Sequence, residues 1–399
     1  MRVLVVGSGG REHALAWRLA SSPSLTELHA APGNPGIASL ATCHPVAADD
    51  GEALLALSRS LSVELVVIGP EVPLVAGVAD VLRHAGILVY GPSAGAARIE
   101  GSKRFAKDVM AAAGIPTARL LATPRAPCVL KADGLAAGKG VAVCRTDDEL
   151  EAGLRAIGAF GSDVLAEELL EGQEVSLLAI CDGADALALP PARDYKRAFD
   201  GDTGPNTGGM GSFAPVPGVE VSELLDAFVR PVLEELARAG TPFLGTLFAG
   251  LIVTADGPQV LEYNCRFGDP ETQSVLPLVG GDLLQALAAA ASGSLAGVQL
   301  EREPGRSVTV VLAGGDYPAD DDRGTPIEGI DRAEAAGAHV FHSGTALRDG
   351  RLVTSGGRLL GVTAIGATLA EARSAAYGAA DLIQIDGARR RNDIALDVR

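Results

Sequence analysis

The sequence contains few aromatic residues and no long apolar stretch. Phe, Trp and Tyr make up only 4% of its 399 residues although 47% are hydrophobic, so the core must be built mainly from Ala, Val and Leu. No run of about 18 apolar residues, the length that spans a membrane, occurs, and residues 2–6 are typical of a strand rather than of a signal segment. We therefore expect a soluble, cytoplasmic protein without a membrane partner.

Cysteine and basic charge are also scarce. The five cysteines are scattered and form no CxxC pair, which favours reduced thiols and no zinc site. The formal net charge of −17 argues against nucleic acid as a partner, because phosphate backbones require surplus Lys and Arg. Local sites for small anionic ligands are still compatible with this charge.

The 50 glycines and the chain length indicate two or three α/β units, at roughly 150 residues per domain. Residues 1–100 alternate strands and helices, and each predicted strand, at 2–6, 28–31, 65–68 and 87–90, ends in a glycine- or proline-rich turn. We predict a doubly wound parallel sheet, with these turns at its carboxyl edge, where ligands of such folds bind.

The first turn, Gly7-Ser-Gly-Gly10, is not a good dinucleotide site. It lacks the third glycine of GxGxxG, and the second strand runs into Pro32 without an acid for a ribose. Two interpretations are left open: a tight structural turn, or a site for a phosphate-bearing substrate at the helix N-terminus beside Arg11.

A glycine-rich loop and a linking segment in residues 101–295 suggest a nucleotide site. Residues 126–133 read as a strand carrying Lys131, and the glycines of residues 134–140 could form a flap over a polyphosphate; a structural hairpin is the alternative. The strands at 164–170 and 174–180 flank a link that could offer backbone groups to adenine, with Glu174 near ribose hydroxyls. Solvated strand-end acids are the alternative here.

A loop of residues 200–212 contains five glycines. Long loops of this kind are usually functional or disordered, and we favour function because the uncrowded backbone amides could approach a ligand closely. The chain from about residue 300 predicts strands at 307–313, 339–342, 351–354 and 358–363 and a helix at 369–383. His339 and His342 are interpreted as strand residues rather than ligands.

Residues 261–272 are the most informative segment. Glu262 and Asn264 lie two apart on a predicted strand, so both should point to one face. A carboxylate and an amide oxygen suit Mg²⁺ that carries a nucleotide's phosphates. Asp269-Pro270-Glu271 then predicts the start of a helix. The segment predicts a metal and phosphate site at a strand-to-helix junction.

Together the motifs resemble the phosphoribosylamine–glycine ligase family of ATP-grasp enzymes over nearly the whole chain. Thr-Gly-Gly-Met-Gly at 207–211 and Arg-Phe-Gly-Asp-Pro-Glu at 266–271 are the most specific, and residues 7–14, 32–36, 69–71, 101–103 and 131–140 also match. The resemblance implies a multidomain α/β and α+β fold. Its parts are a doubly wound N-terminal sheet, the pre-ATP-grasp domain, in residues 1–100; an ATP-grasp fold of two α+β subdomains in 101–295, the smaller at about 115–180; and a small α+β domain in 296–399.

The resemblance also implies an activity. It is the ATP-dependent joining of glycine to 5-phosphoribosylamine through glycyl phosphate, giving glycinamide ribonucleotide, ADP and phosphate in purine biosynthesis, with Mg²⁺ or Mn²⁺. Another ATP-grasp ligase or carboxylase with a different acid or amine is the alternative, and a non-enzymatic nucleotide sensor a weaker one. Because phosphoribosylamine is short-lived, a transient contact with the enzyme that supplies it is a further hypothesis.

By resemblance, Glu262 and Asn264 bind the metal, and Arg266 and Lys131 are catalytic. The implied ATP-binding residues are Lys103, Lys131, Gly134, Gly138, Lys139, Gly140, Glu168, Leu170 and Glu174. The implied substrate-binding residues are Gly9, Gly10, Arg11, Glu12, Asp194, Gly208, Gly209, Met210, Gly211, Arg266, Asp269, Pro270 and Glu271. The chain departs from the family between residues 117 and 131, where relatives carry a further helix, so we expect a trimmed small subdomain with its phosphate-binding positions intact.

Overall fold

The computed structural model describes residues 1–136, 140–158, 160, 163–396 and 398. The N-terminal part alternates strands and helices as predicted, with one short strand, β3, that the sequence did not indicate. Its elements are β1 (Arg2–Gly7), α1 (Gly10–Ala20), β2 (Glu27–Pro32), β3 (Thr42–Cys43), α2 (Gly51–Ser60), β4 (Leu65–Ile68), α3 (Glu71–Val75), α4 (Val78–His84), β5 (Leu88–Tyr90), α5 (Ala94–Gly101) and α6 (Lys103–Ala112).

The N-terminal sheet is parallel and has the order β3-β2-β1-β4-β5. Alternate residues of β1 enter two different cores: Leu4 and Val6 join one cluster, and Val3 and Val5 join the other. Both faces of the sheet are therefore covered, as the near-continuous apolar strands of a parallel sheet require.

The central part contains two antiparallel sheets, which meet where Lys131 of the smaller donates to the carbonyl of Leu261 in the larger. The region around this contact is called the cleft below. The larger has the order β10-β9-β15-β16 and the smaller β7-β6-β8. The elements are β6 (Cys128–Ala132), β7 (Val141–Cys144), α7 (Asp147–Gly158), β8 (Val164–Glu168), β9 (Gln173–Asp182), β10 (Ala186–Ala188), β11 (Arg193–Asp194), β12 (Arg197–Phe199), β13 (Thr203–Asn206), β14 (Gly211–Ala214), α8 (Val221–Leu224), α9 (Arg230–Arg238), β15 (Leu244–Thr254), β16 (Gly257–Asn264), α10 (Glu271–Val275), β17 (Val279–Gly280) and α11 (Leu283–Ala291).

The small sheet has a core of its own on one face. Cys128, Leu130 and Ala132 of β6 pack there with Ile157 of α7. Because side chains alternate along a strand, Lys131 lies on the opposite face. Residues 113–127 carry no helix, in agreement with the shortened segment expected from the sequence.

The C-terminal part shares a sheet with the central part. The sheet order β11-β14-β19-β24-β21 places two strands from residues 193–214 against three from beyond residue 300. The remaining elements are β18 (Glu301–Arg302), β19 (Arg306–Ala313), β20 (Asp322–Pro326), α12 (Ile330–Ala335), β21 (His339–His342), β22 (Thr345–Arg348), β23 (Arg351–Gly356), β24 (Arg358–Gly366) and α13 (Leu369–Ala380). In the part of the chain that is described, no helix combines the length and apolar character needed to cross a membrane.

Candidate active site

Lys131 is held in the cleft by a buried carboxylate. Its Nζ lies 2.7 Å from Glu167 Oε2 and donates to the carbonyl of Leu261 at 2.8 Å. The second oxygen of Glu167 lies 3.0 Å from Nζ of Lys107. Glu167 is only 2% exposed, so its charge is balanced by two lysines rather than by water. This arrangement fixes Lys131 between the small sheet and strand β16.

Lys103 and the glycine-rich loop meet on the same side of the cleft. Lys103 Nζ donates to the carbonyl of Gly134 at 2.9 Å, and its backbone N–H donates to Asp133 Oδ1 at 2.6 Å. Burial lowers the pKa of Lys103, while Glu262 opposes that shift. Gly140 lies at the start of the strand after the loop, and the predicted residues Gly138 and Lys139 lie outside the described residues.

The predicted metal ligands end strand β16. Tyr263 between them is buried in the core, so Glu262 and Asn264 share the opposite face. A register shift at Gly250 and Leu251 leaves Leu261 without a direct partner on β15, and the carbonyl of Leu261 is the acceptor of Lys131. The irregularity thus brings the lysine of the small sheet beside the carboxylate of the large one.

Several cations surround the Glu262 carboxylate. Burial by itself would raise its pKa, but Lys196, Lys131, Lys103 and Arg266 together hold the pKa below its ordinary value. Glu262 is therefore ionised near neutral pH. A negative ligand atom inside a ring of positive side chains suits a divalent cation bound to a polyphosphate.

A second group of carboxylates lies beside Lys196. The Nζ of Lys196 is 2.6 Å from Glu174 Oε2 and 3.7 Å from Asp194 Oδ1. Ser176 donates to Glu271 Oε1 at 3.1 Å. Asp194 Oδ1 is buried and accepts no hydrogen bond. Burial raises the pKa of Asp194 to about 8, and the neighbouring Glu271 acts in the same direction against Lys196.

We expect Asp194→Asn to remove a pH-dependent loss of stability. The folded pKa of about 8 lies above the ordinary value of 3.8, so the favourable contribution of the protonated form is complete below pH 4 and is lost as the pH rises toward 8. The free energy of unfolding of the variant should therefore gain on that of the wild type by about 3 to 4 kcal/mol between pH 5 and pH 8. Urea unfolding at both pH values measures this.

Asp108→Asn, a change on the exposed face of α6, is the matched control and should show no such gain. A difference between Asp194→Asn and the wild type that is the same at pH 5 and pH 8 would contradict the raised pKa of Asp194.

Arg266 is bound between two acids that the sequence did not single out. Its Nε lies 3.1 Å from Glu71 Oε2 and its Nη2 lies 3.2 Å from Glu100 Oε1, while Nη1 donates to the carbonyl of Phe267. Burial would raise the pKa of Glu71, but Arg266 and Arg11 lower it to about 2. Burial raises the pKa of Glu100 despite its contact with Arg266. Arg266 thus links the N-terminal part to the end of β16.

The glycine turn before α1 binds the carboxylate of Glu12, a residue of the same helix. The N–H of Gly9 donates to Glu12 Oε2 at 2.6 Å, and Arg11 Nε donates to Glu12 Oε1 at 2.5 Å. A Cβ at Gly69 would lie 2.1 Å from the Glu12 side chain, which explains why a residue without a side chain stands there. Gly10 lies against Gln273 of α10. The turn therefore adjoins the predicted substrate wall at Gly9, where a Cβ would lie 3.6 Å from Asp269 Oδ2, and the helix that follows the wall at Gly10.

Two side chains of the C-terminal part contact the loop of residues 200–212. Arg358 Nη1 donates to the carbonyls of Gly208 and Asp269, each at 2.7 Å, and its Nη2 lies 3.3 Å from Asp269 Oδ2. The Gly208 N–H donates to the hydroxyl of Tyr317 at 2.9 Å. A Cβ at Gly209, whose φ is +113°, would lie 2.4 Å from Pro270. Gly208 to Gly211 and Asp269 to Glu271 therefore form one wall of the cleft.

The link between β8 and β9 carries the residues predicted to bind the nucleotide base. Glu168 ends β8, its side chain accepts from the Arg119 N–H at 2.9 Å, and Leu170 follows in an irregular segment. Glu174 and Ser176 lie two apart on β9 and share a face. The structure therefore places Glu174 in the cleft through its ion pair with Lys196.

Sequence reasoning missed Lys196, Glu71, Glu100, Arg358, Tyr317 and Ser176. Lys196 could have been found, because it lies two residues beyond Asp194 in an extended segment and so shares its face. The others reach the cleft from distant parts of the chain.

Comparison with known proteins shows which family these features belong to. The models of the phosphoribosylglycinamide synthetase N domain, ATP-grasp (A) domain and C domain match residues 1–100, 101–272 and 307–397. The phosphoribosylamine–glycine ligase of Streptomyces coelicolor is 50% identical over 414 residues, covering 99% of each chain. That of Brucella melitensis is 48% identical, covering 99% of this chain and 97% of its own.

Solved structures agree with this assignment. The phosphoribosylamine–glycine ligase of Thermotoga maritima has a TM-score of 0.83 and 35% identity, covering 99% of this chain and all of its own. The biotin carboxylase domain of a Hydrogenobacter thermophilus carboxylase has a TM-score of 0.67 at 18% identity, covering 97% of this chain and 91% of its own, which shows a common fold alone. The three domain models match in their expected order, and relatives about 50% identical match over 99% of the chain. The chain therefore belongs to the phosphoribosylglycinamide synthetase family.

Proposed function

We propose that this protein is an ADP-forming ligase that joins glycine to 5-phosphoribosylamine in purine biosynthesis. The observation that carries the proposal is the cleft itself, where an ionised Glu262 is surrounded by Lys103, Lys131 and Lys196. The curated relatives that the chain matches over 99% of its length carry the name of this ligase. The cleft thus brings together cations that could bind a polyphosphate and carboxylates that could bind an amine.

The residues fit a divalent metal that carries the phosphates of ATP. Glu262 supplies an anionic oxygen and Asn264 a neutral one, both hard donors of the kind that Mg²⁺ and Mn²⁺ accept. Within the described residues no group of three or more His, Cys, Asp or Glu forms a metal site. We therefore propose that phosphate oxygens and water complete the coordination. Bound there, the metal would neutralise charge on the triphosphate.

The remaining side chains divide between nucleotide and substrates. Lys131 and Lys103 would contact the phosphates, and the Glu168 to Leu170 link would bind adenine. Glu174 would lie near the ribose. Asp194, whose Oδ1 lacks a hydrogen-bond donor in the described structure, would accept the ammonium group of glycine, whose positive charge would favour ionisation of the carboxyl. Arg266 would stabilise the transferring phosphoryl group.

The reaction proceeds in two steps. A carboxylate oxygen of glycine attacks the γ-phosphorus, the bond to the ADP oxygen breaks, and glycyl phosphate forms. The amine of phosphoribosylamine then attacks the carbonyl carbon, the carbon–oxygen bond to phosphate breaks, and the amine loses a proton. Negative charge is transferred throughout, so fixed cations supply most of the catalysis that the chain's own residues can provide.

Oxygen labelling tests the proposal. Glycine carrying ¹⁸O in its carboxylate should deliver one labelled oxygen to each phosphate released, with ADP formed only when glycine and freshly generated phosphoribosylamine are both present. Mass spectrometry of the phosphate measures the transfer. Unlabelled phosphate would exclude the acyl phosphate, and ADP release that is independent of both substrates would exclude the ligase function.

A further inference from the structure

The C-terminal tail, residues 389–395, lies across the glycine-rich hairpin, residues 197–206, that precedes Gly208. It is first anchored to β19, where the Arg389 N–H donates to the carbonyl of Ala313 at 2.8 Å and the Ala313 N–H donates back at 2.9 Å. Arg389 also donates from Nη1 to the carbonyl of Ala198 at 3.0 Å. The end of the chain is thereby directed onto a loop about 190 residues earlier.

Arg391 lies at the centre of this contact. It is only 1% exposed, and its Nη1 donates to Asp202 Oδ1 at 2.7 Å and to the carbonyl of Arg197 at 3.2 Å. Its Nε and Nη2 donate to the two carboxylate oxygens of Asp393 at 2.7 and 2.6 Å. A buried guanidinium is tolerated only when its donors are paired in this way. Arg391 can therefore stay buried only while the hairpin and the tail remain in contact.

Further hydrogen bonds extend the contact along the hairpin. Asn392 donates from its backbone and its side chain to the two carboxylate oxygens of Asp200, at 2.7 and 3.0 Å. The Gly201 N–H donates to Asp393 Oδ2 at 2.8 Å. The tail therefore binds the turn of the hairpin as well as its strands.

The tail also binds the segment that carries the cleft residues. The Ala395 N–H donates to the hydroxyl of Tyr195 at 2.9 Å, and the guanidinium of Arg391 lies 5.0 Å from the centre of the Tyr195 ring. Because side chains alternate along an extended segment, Asp194 and Lys196 point away from the tail. The Nζ of Lys196 lies 3.7 Å from Asp194 Oδ1 and 2.6 Å from Glu174 Oε2, and it is close enough to Glu262 to lower the pKa of that carboxyl. Asp194 and Lys196 therefore lie on the side of Glu262.

The same segment is paired with the Gly208 to Gly211 wall. The Tyr195 N–H donates to the carbonyl of Gly211 at 3.0 Å, and the Met210 N–H donates to the carbonyl of Tyr195 at 2.8 Å. Ile394 is fully buried, and a Cβ at Gly211 would lie 2.8 Å from its Cγ1. Any displacement of the tail would therefore move both Tyr195 and the wall.

We propose that residues 389–395 form a clasp that positions the substrate side of the cleft, with Arg391 as its central positioning residue. Arg391 acts through Tyr195 and the hairpin and does not touch substrate. The proposal rests on the proposed function, because Asp194, Lys196 and the Gly208 to Gly211 wall are the groups that the clasp holds. The nucleotide side, on β6 and β16, is reached indirectly, through Asn206 of the hairpin, which donates to the carbonyl of Val141 at 3.2 Å, and through Lys196, which pairs with Glu174.

Arg391→Ala tests the clasp. We expect KM for glycine to rise on the order of 10- to 100-fold, since a displacement of about 1 Å has such effects, while KM for ATP rises by a much smaller factor. Hydrogen exchange of the amides of residues 198–206 should become faster. Arg391→Lys keeps the positive charge but loses the forked guanidinium. Its KM for glycine and its hairpin exchange rate should lie between those of the wild type and of Arg391→Ala. Asn392→Ala, an exposed change, should shift both readouts in the same direction by less.

Arg351→Ala is the control, because Arg351 is exposed and lies at the turn between β22 and β23, outside residues 389–395. It should leave KM and exchange unchanged. A wild-type KM and wild-type hairpin exchange in both Arg391→Ala and Asn392→Ala would overturn the clasp, as would an equal loss of glycine and ATP binding. A wild type that releases no ADP would instead refute the proposed function, and exchange of the hairpin would still test the clasp.

Discussion

Glu262→Gln is expected to lower kcat on the order of 10³-fold at saturating ATP, glycine and phosphoribosylamine, because it removes the proposed anionic ligand of the metal while keeping the size of the side chain. Lys103, Lys131 and Lys196 then lose the negative charge that they surround. Metal-free ATP should therefore still bind, and the loss should fall on kcat and on metal affinity. Steady-state kinetics across a titration of Mg²⁺, repeated with Mn²⁺, measures both.

Asp256→Asn is the matched control for this prediction. Asp256 lies at the exposed turn between β15 and β16, the far end of the hairpin that carries Glu262. It should leave kcat and the metal dependence unchanged. If Glu262→Gln kept the metal concentration for half-maximal rate of the wild type, Glu262 would not be a metal ligand.

Arg266→Met should affect stability and catalysis together. It leaves the half-buried Glu71 and Glu100 without their shared cation, and Glu71 keeps its 3.8 Å pair with Arg11, so the free energy of unfolding at pH 7 should fall by about 3 kcal/mol. The rate of phosphoryl transfer should fall on the order of 10²- to 10³-fold. Guanidinium unfolding and single-turnover kinetics measure the two effects separately.

The stability loss should depend on pH in a defined direction. The pKa of Glu71 is lowered to about 2 from an ordinary value of 4.5, so its ion pairs stabilise the fold above pH 4.5 and this contribution is lost as the pH falls toward 2. The gap between wild type and Arg266→Met should therefore narrow below pH 4.5. Arg266→Lys should recover part of the stability but little of the rate, since an ammonium cannot bridge two carboxylates as the fork does. A gap that stayed constant down to pH 3 would contradict the role assigned to Glu71.

Local sequence patterns predicted the structural features that depend on neighbouring residues, such as strand bounds, helix starts and shared faces. The apolar strands at 65–68 and 339–342 have the expected bounds, and a helix begins at Glu271 directly after Pro270. The two-residue spacing of Glu262 and Asn264 placed them on one face because the period of a strand is two. His342 is a strand residue, as interpreted, and its N–H donates to His13 Nδ1 at 2.8 Å.

Contacts between distant segments could not be predicted in this way. Arg358 reads as an ordinary residue at the start of a strand, yet it binds Gly208, which lies 150 positions earlier. Tyr317 stands between two glycines and Pro318, residues that favour a turn, and its hydroxyl accepts from the same glycine. Glu71 and Glu100 are helix residues whose partner, Arg266, is fixed by the packing of two domains. Such pairs follow from topology, which the alternation of polar and apolar residues does not encode.

The sheet with the order β11-β14-β19-β24-β21 limits where this chain can be divided. A fragment that ended near residue 300 would expose the full edge of β14, whose residues 211–214 pair with β19, and an unpaired edge is a template for aggregation. A chimera that exchanged only the C-terminal domain between relatives would have to rebuild the β14–β19 interface. The natural unit of exchange in this protein is therefore the C-terminal domain together with residues 193–214, although the two are separated in sequence by much of the ATP-grasp domain.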